Sequence, residues 1–147
     1  MINQLQGVFR CLEKHDVKYV VIGGIASILY GVPRTTFDLD ILIEATLDNS
    51  QKLLKALEEA ELGTALLTTP ENILKNEITV FQDRVRIDVQ TSTPGIEFTK
   101  AWENKNTVEY KGQKFYLLSK SDLIASKEAA GRPKDLEDVR LLKLEDE

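Results

Sequence analysis

The chain has almost no cysteine and no long apolar run, and both absences limit what kind of protein it can be. Cys11 is the only cysteine among 147 residues, so no disulfide can form within the chain. No apolar stretch approaches the roughly twenty residues that a transmembrane helix needs, and no basic segment followed by an apolar run begins the chain. We therefore predict a cytoplasmic protein with no membrane partner.

The chain also lacks an excess of basic residues. Its 24 acidic and 19 basic side chains give a formal net charge of −5 at pH 7. Proteins with broad nucleic-acid surfaces usually neutralise many phosphates with lysine and arginine, so this balance argues against such a surface, although it allows a local basic patch. The length fits a single domain over residues 1–147, without repeats, linkers or low-complexity segments.

Apolar spacing and turn residues predict a mixed α/β domain, in which helices flank a mixed β-sheet. The first half is predicted to contain an N-terminal amphipathic helix, a strand at 18–22, a short helix at about 24–30, a strand at 36–44 and a helix capped by Asp48 or Asn49. The second half is predicted to contain a helical turn after Pro70, a hairpin formed by 78–82 and 85–90, a hairpin at 107–117, and two helices at about 120–130 and 133–143.

The segment 21–41 combines paired glycines with two aspartates one residue apart. Gly23 and Gly24 follow an apolar strand and begin a short helix, where backbone N–H groups can approach a phosphate and the helix dipole favours negative charge. Asp38 and Asp40 lie on one face of the next strand, because side chains alternate. Such carboxylates can hold the magnesium ion that neutralises a bound phosphate.

A simpler interpretation places both aspartates on the solvated outer face of an edge strand. Leu42 argues against it, because the same face becomes apolar two residues later. The opposite face is predicted to carry four apolar residues, which are Phe37, Leu39, Ile41 and Ile43.

Asp88 is a candidate third carboxylate. In the strand at 85–90, three valine and isoleucine side chains face inward, whereas Arg86 and Asp88 share the other face. If this strand lies beside the first, three aspartates converge, which like charges resist unless cations bind there. Two magnesium ions about 3.5–4 Å apart are the usual occupants of such a site. The alternative is an exposed pair between Arg86 and Asp88.

The last two helices place charges on apolar faces. Lys127 falls on the stripe of Leu123 and Ile124, and Asp135 falls within the predicted stripe of the final helix, which consists of Leu136, Val139 and Leu142. Buried charges are costly unless they are paired or used. Lys127 and Asp135 therefore either form a structural ion pair or reach an active site where phosphates bind the lysine, whereas Asp138 is predicted to be peripheral.

These motifs together resemble the signature of the nucleotidyltransferase superfamily, which includes DNA polymerase beta. The matching residues of the first motif are Gly23, Gly24, Ala26, Gly31, Arg34, Thr36, Asp38 and Asp40, and Asp88 matches the third carboxylate. The segment 121–139 is similar to the end of minimal bacterial and archaeal members, including the toxin-type AbiEii enzymes. The resemblance to these toxins implies that Lys127 and Asp135 belong to the active site.

The resemblance implies a two-metal site and a nucleoside triphosphate, such as ATP, as donor. Asp38, Asp40 and Asp88 are then the magnesium ligands. The expected nucleotide-binding residues are Gly23, Gly24, Ser27, Arg34 and Thr36. Many relatives have Gly-Ser where this chain has Gly-Gly, so the serine hydroxyl is missing there and Ser27, Thr35 or Thr36 would replace it.

Three functions remain open from the sequence. The first is transfer of a nucleoside monophosphate to a hydroxyl of RNA, such as tRNA, or of protein, as in toxin–antitoxin systems. The second is the same transfer to a small molecule such as an aminoglycoside or lincosamide, which acidic residues would attract. The third is a non-catalytic nucleotide-binding partner protein. Acceptor binding would use the core, a second copy in a homodimer, or an antitoxin partner.

Overall fold

The computed structural model describes residues 2–144, which form an α/β fold around a six-stranded mixed sheet. The helices are α1 Ile2–Lys14, α2 Gly23–Leu29, α3 Leu47–Glu59, α4 Pro70–Lys75, α5 Phe98–Asn104, α6 Lys120–Ala130 and α7 Pro133–Leu144. The strands are β1 Tyr19–Ile22, β2 Asp38–Ile43, β3 Ile78–Gln82, β4 Arg86–Gln90, β5 Asn106–Tyr110 and β6 Gln113–Leu117, and a 3₁₀ turn spans Gly63–Leu67.

The strand order is β3-β4-β2-β1-β6-β5. Both predicted hairpins are confirmed as antiparallel pairs at the two ends of the sheet. Strand β2 runs antiparallel to β1 and parallel to β4. Leu39, Ile41 and Leu42 are each at most 1% exposed, so both faces of β2 are covered along its second half.

The start of helix α3 differs from the prediction. Thr46 is the N-cap, and its hydroxyl accepts a hydrogen bond from the Asn49 backbone N–H at 3.2 Å. Neither Asp48 nor Asn49 caps the helix. The buried Asn49 side chain instead bonds both backbone groups of Lys18, at 2.8 and 2.9 Å, and so fixes α3 to the beginning of β1.

Two further features differ from the prediction. Helix α5 was not predicted from the sequence. Its Phe98 and Trp102 rings stack with their centroids 5.9 Å apart and pack on the core. The strand predicted at 36–44 begins two residues later, at Asp38, so Phe37 lies outside it and is 80% exposed. No helix in the described part of the chain is long and apolar enough to cross a membrane.

Candidate active site

Parallel pairing of β2 with β4 brings the candidate carboxylates together. In the register of this pair, Asp40 lies opposite Asp88 and Asp38 lies opposite Arg86. Neighbouring strands are about 4.8 Å apart, so paired residues that share a face are close neighbours. The sheet therefore places Asp88 beside Asp40, as the sequence predicted if the two strands were adjacent.

Asp40 is the most electrostatically perturbed member of this group. Burial, followed by the charges of Asp88 and Asp38, raises the pKa of Asp40 from 3.8 to about 7. The Arg86 guanidinium opposes this rise only in part. The environment of Asp40 therefore disfavours its charged form, first by burial and then by the neighbouring carboxylates.

Arg86 is paired with the carboxylates. Its Nε and Nη2 atoms donate to the two oxygens of Asp88 at 2.9 and 3.3 Å, and Nε is 3.7 Å from Asp38 Oδ2. The ion pair between Arg86 and Asp88 that the sequence left open is thus present. Within residues 2–144 no three histidine, cysteine, aspartate or glutamate side chains are grouped as a metal site in this arrangement.

Gly23 and Gly24 leave room for side chains of β2 and the loop before it. A Cβ atom on Gly23 would lie 2.3 Å from Asp40 Oδ2, and the φ of Gly23 is +69°. A Cβ atom on Gly24 would lie 3.2 Å from Thr36 Oγ1. Gly23 therefore allows Asp40 to lie against the first turn of α2, and Gly24 leaves space for Thr36 beside it.

Ser27, a predicted nucleotide-binding residue, does not reach this surface. It is completely buried, and its hydroxyl donates to the carbonyl oxygen of Gly23 at 3.2 Å. A serine inside a helix commonly bonds the carbonyl four residues earlier. The expectation that Ser27 contacts nucleotide is therefore wrong.

Helices α6 and α7 carry a buried cluster of charges. Lys127 Nζ lies 2.8 Å from Asp138 Oδ2 and 3.9 Å from Asp135 Oδ1, and all three residues are at most 7% exposed. Asp135 also accepts two hydrogen bonds from the Arg132 guanidinium, at 2.6 and 3.2 Å. Hydrogen bonding and charge from Arg132 lower the pKa of Asp135 against the opposing effect of burial.

Asp138 was wrongly predicted to be peripheral. It is 5% exposed and accepts hydrogen bonds from Lys127 and from Arg34, at 2.8 and 2.5 Å. Arg34, a predicted nucleotide-binding residue, thus uses its guanidinium to join the loop before β2 to α7. Asp138 lies three residues after Asp135, one helical turn away, and this spacing could have revealed that both share a face. Leu136, placed on that face by the prediction, is 50% exposed.

Two pockets flank the aspartates of β2. The Asp40 pocket, about 380 Å³, is lined by four predicted site residues and by apolar neighbours such as Ile22 and Leu123. Its predicted residues are Gly23, Asp40, Lys127 and Asp135. The Asp38 pocket, about 710 Å³, has walls that include Asp38, Thr36 and Arg86.

The chain has the fold of nucleotidyltransferase-like proteins. It resembles the crystal structure of an antigenic nucleotidyltransferase-like protein from Paracoccidioides brasiliensis with a TM-score of 0.57 and 19% sequence identity, over 94% of this chain and 72% of that one. The chain belongs to the family described as "Nucleotidyltransferase of unknown function (DUF6036)", which matches residues 3–147. None of the curated proteins matches it.

Proposed function

We propose that this chain is a magnesium-dependent enzyme that transfers a nucleoside monophosphate from a nucleoside triphosphate to a hydroxyl of an RNA or protein acceptor. One observation carries the proposal. Asp40 shares a pocket with Gly23 and the buried Lys127, and it lies beside Asp88 on the neighbouring strand. Membership of a nucleotidyltransferase family supports the same reaction class.

The residues present fit magnesium by their chemistry. Asp38, Asp40 and Asp88 offer only carboxylate oxygens, the ligands that Mg²⁺ prefers. Burial and the charges of Asp88 and Asp38 raise the pKa of Asp40, and a bound cation would stabilise its charged form. To join Asp38 and Asp40 as a ligand, Asp88 would exchange its ion pair with Arg86 for the metal. Magnesium, as one or two ions, would supply neutralisation of phosphate charge.

The charge cluster of α6 and α7 provides a site for the triphosphate. Its two buried carboxylates, Asp135 and Asp138, face three cations, Arg34, Lys127 and Arg132, so one positive charge remains unmatched within the cluster. Lys127 and Arg132 both line the Asp40 pocket and are the cations placed to meet a phosphate there. The N–H groups of Gly23 and Gly24 would bind the same phosphates.

The reaction follows from this placement. The acceptor oxygen attacks the α-phosphorus and forms a new P–O bond, while the bond from that phosphorus to the β-phosphate oxygen breaks and pyrophosphate leaves. Once its ion pair with Arg86 is broken, Asp88 accepts the proton of the acceptor hydroxyl. Lys127 and the glycine amides stabilise the departing pyrophosphate.

A small cationic acceptor, such as an aminoglycoside or a lincosamide, is the second candidate. The net charge of −5 favours it, because an acidic surface attracts cations. A non-catalytic nucleotide-binding role is the third, and the three aspartates argue against it. We place the enzyme in the cytoplasm, as a homodimer or with an antitoxin partner.

A labelling experiment tests the proposal. The protein is incubated with magnesium, each α-labelled triphosphate in turn, and RNA, protein or aminoglycoside acceptors. We expect label in RNA or protein, with none when magnesium is chelated or when Asp38 or Asp40 is replaced by asparagine. Label in the aminoglycoside alone would favour the second candidate. Full activity of both variants would refute the proposed site.

A further inference from the structure

Strand β3 lies at one end of the sheet, and only β4 pairs with it within residues 2–144. Two backbone hydrogen bonds show which way its backbone groups point. The carbonyl of Glu77 accepts from the N–H of Thr91, and the N–H of Asp83 donates to the carbonyl of Val85, each at 3.0 Å. The odd-numbered residues of β3 therefore direct their backbone groups toward β4, and the even-numbered residues direct theirs away from the sheet.

The outward-pointing residues are Ile78, Val80 and Gln82. In the described part of the chain no hydrogen bond uses their outward backbone groups. The side chains of Ile78 and Val80 are also 53% and 47% exposed, although both are apolar. An edge strand with free backbone groups and exposed apolar side chains readily pairs with a strand of another chain.

The sequence of β3 lacks the residues that usually protect an edge strand. It contains no charged residue and no proline, whereas β5, at the other end of the sheet, exposes Glu109 and other polar side chains. The 3₁₀ turn packs beside β3 and adds Leu66 and Leu67, which are 68% and 82% exposed. A stable dimer buries about 800 Å² per partner, and these leucines add apolar area to that of the strand.

A second copy of the chain fits this edge because β3 is complementary to itself. In a two-fold pair, β3 lies antiparallel to β3 of the partner subunit, and Thr79 can lie opposite its own copy on the symmetry axis. Ile78 then lies opposite Val80 of the partner subunit. These residues exchange both backbone hydrogen bonds and bring two exposed apolar side chains together, and the symmetry repeats the pair on the other side of the axis.

Charges select this register. If the axis were moved by one residue, to Val80, Glu77 would lie opposite Asp83 of the partner subunit in a non-hydrogen-bonded pair, where side chains are closest. Like charges directly opposite each other destabilise such a pair. With Thr79 on the axis, the end of α4 at Lys75 instead approaches Asp83 of the partner subunit, which brings opposite charges together.

The Thr79 hydroxyl gives independent support for a partner. Its oxygen is buried and has no hydrogen-bond partner among the described residues. The side chain as a whole is only partly buried, so rotation about χ1 can turn the hydroxyl toward a neighbouring strand. On the axis it would meet the same hydroxyl of the partner subunit, and threonine pairs across antiparallel strands form hydrogen bonds.

We propose that β3 is the interface of a symmetric homodimer in which the two sheets join edge to edge. Val80 pairs with Asp88 of β4, so the even-numbered residues of β3 and the candidate carboxylates share one face of the joined sheet. Ile78 lines the Asp40 pocket, and Val80 of the partner subunit therefore borders that pocket. This interface goes beyond the proposed function and does not depend on it.

Cysteine substitution tests the register. Thr79→Cys should form an interchain disulfide under mild oxidation, because residues of a non-hydrogen-bonded pair have Cα atoms about 4.5 Å apart, within disulfide range. Val80→Cys is the matched control, because the two copies of residue 80 are offset along the strands beyond disulfide reach. The original protein should not form this link, since Cys11 is buried.

Proline substitution tests the interface itself. Sedimentation of the full chain distinguishes a single copy of 16.6 kDa from a dimer of twice that mass. Val80→Pro removes one outward N–H from each copy, at an edge position where proline is compatible with the strand. We expect the dimer dissociation constant to rise roughly 5- to 150-fold, as the loss of two hydrogen bonds predicts. Val80→Ile keeps the N–H and should dimerise like the original protein.

Four outcomes would overturn the inference. They are a single-copy mass at every protein concentration, a dimer that a folded Val80→Pro leaves intact, a dimer without a disulfide in Thr79→Cys, and a disulfide in Val80→Cys instead. If circular dichroism shows that Val80→Pro does not fold, the two cysteine variants decide. Nucleotidyl transfer by a single-copy protein would leave the proposed function standing.

Discussion

Replacement of Asp40 by asparagine should stabilise the protein at neutral and alkaline pH. Burial and two neighbouring aspartates raise the pKa of Asp40 to about 7 from 3.8. The folded state therefore prefers the protonated, uncharged carboxyl. Asparagine has nearly the same shape, carries no charge at any pH, and can donate to Asp88 as the protonated acid does.

The magnitude follows from linkage. Each pKa unit corresponds to 1.36 kcal/mol, so a rise of about three units costs at most about 4 kcal/mol when Asp40 is ionised in the folded protein. A raised carboxyl pKa contributes stability that is fully present below pH 3.8 and is lost as the pH rises through about 7. Because Asp40 is partly exposed, we expect Asp40→Asn to gain about 2–4 kcal/mol at pH 8 and almost nothing near pH 4.

Urea denaturation between pH 4 and pH 8, with a chelator present, measures this gain. Asp48→Asn is the matched control, because its side chain is 78% exposed and lies outside the group of Asp38, Asp40 and Asp88. Added magnesium should stabilise the original protein at pH 8 more than Asp40→Asn, since it binds the folded carboxylates. A loss of stability in Asp40→Asn at pH 8, or a gain that does not depend on pH, would refute the reasoning.

Local sequence patterns were sufficient to predict most of the fold. Strand alternation predicted the shared face of Asp38 and Asp40 and that of Arg86 and Asp88, because the period of a strand is a local property. Turn residues predicted both hairpins and the break between α6 and α7, where Gly131 has a φ of +67°. Helix α5, with no side chain that caps its first turn, had no such signal.

Contacts between distant segments could not be predicted in the same way. The sequence predicted that Asp88 joins Asp38 and Asp40 only if their strands are neighbours, because no local pattern specifies that β2 pairs with β4. Lys127 was correctly predicted to be buried, but its closest carboxylate is Asp138 rather than Asp135. Arg34 reaches Asp138 across 104 residues of sequence, so its partner could be found only in the folded chain.

The remaining predictions concern Lys127, Asp138 and Gly23. Lys127→Met should lose only about 1–3 kcal/mol of stability in urea denaturation, because Asp135 keeps Arg132 and Asp138 keeps Arg34. The same variant should bind triphosphate at least about tenfold more weakly in calorimetry. Unchanged binding per folded molecule would make the lysine purely structural. Asp138→Asn removes the closest carboxylate of the buried Lys127 and the partner of the half-buried Arg34, and should cost about 3–5 kcal/mol in the same denaturation assay. A cost below about 1 kcal/mol would show that this ion-pair cluster does not stabilise the fold. Gly23→Ala adds both a positive-φ strain and a contact with Asp40, whereas Gly112→Ala adds the strain alone, since its φ is +80° and no atom lies within 4 Å. We therefore expect the melting temperature to fall further for Gly23→Ala than for Gly112→Ala, and nucleotidyl transfer to fall only for the former. Equal losses of stability with full activity would show that the approach of Asp40 to this glycine has no part in the reaction.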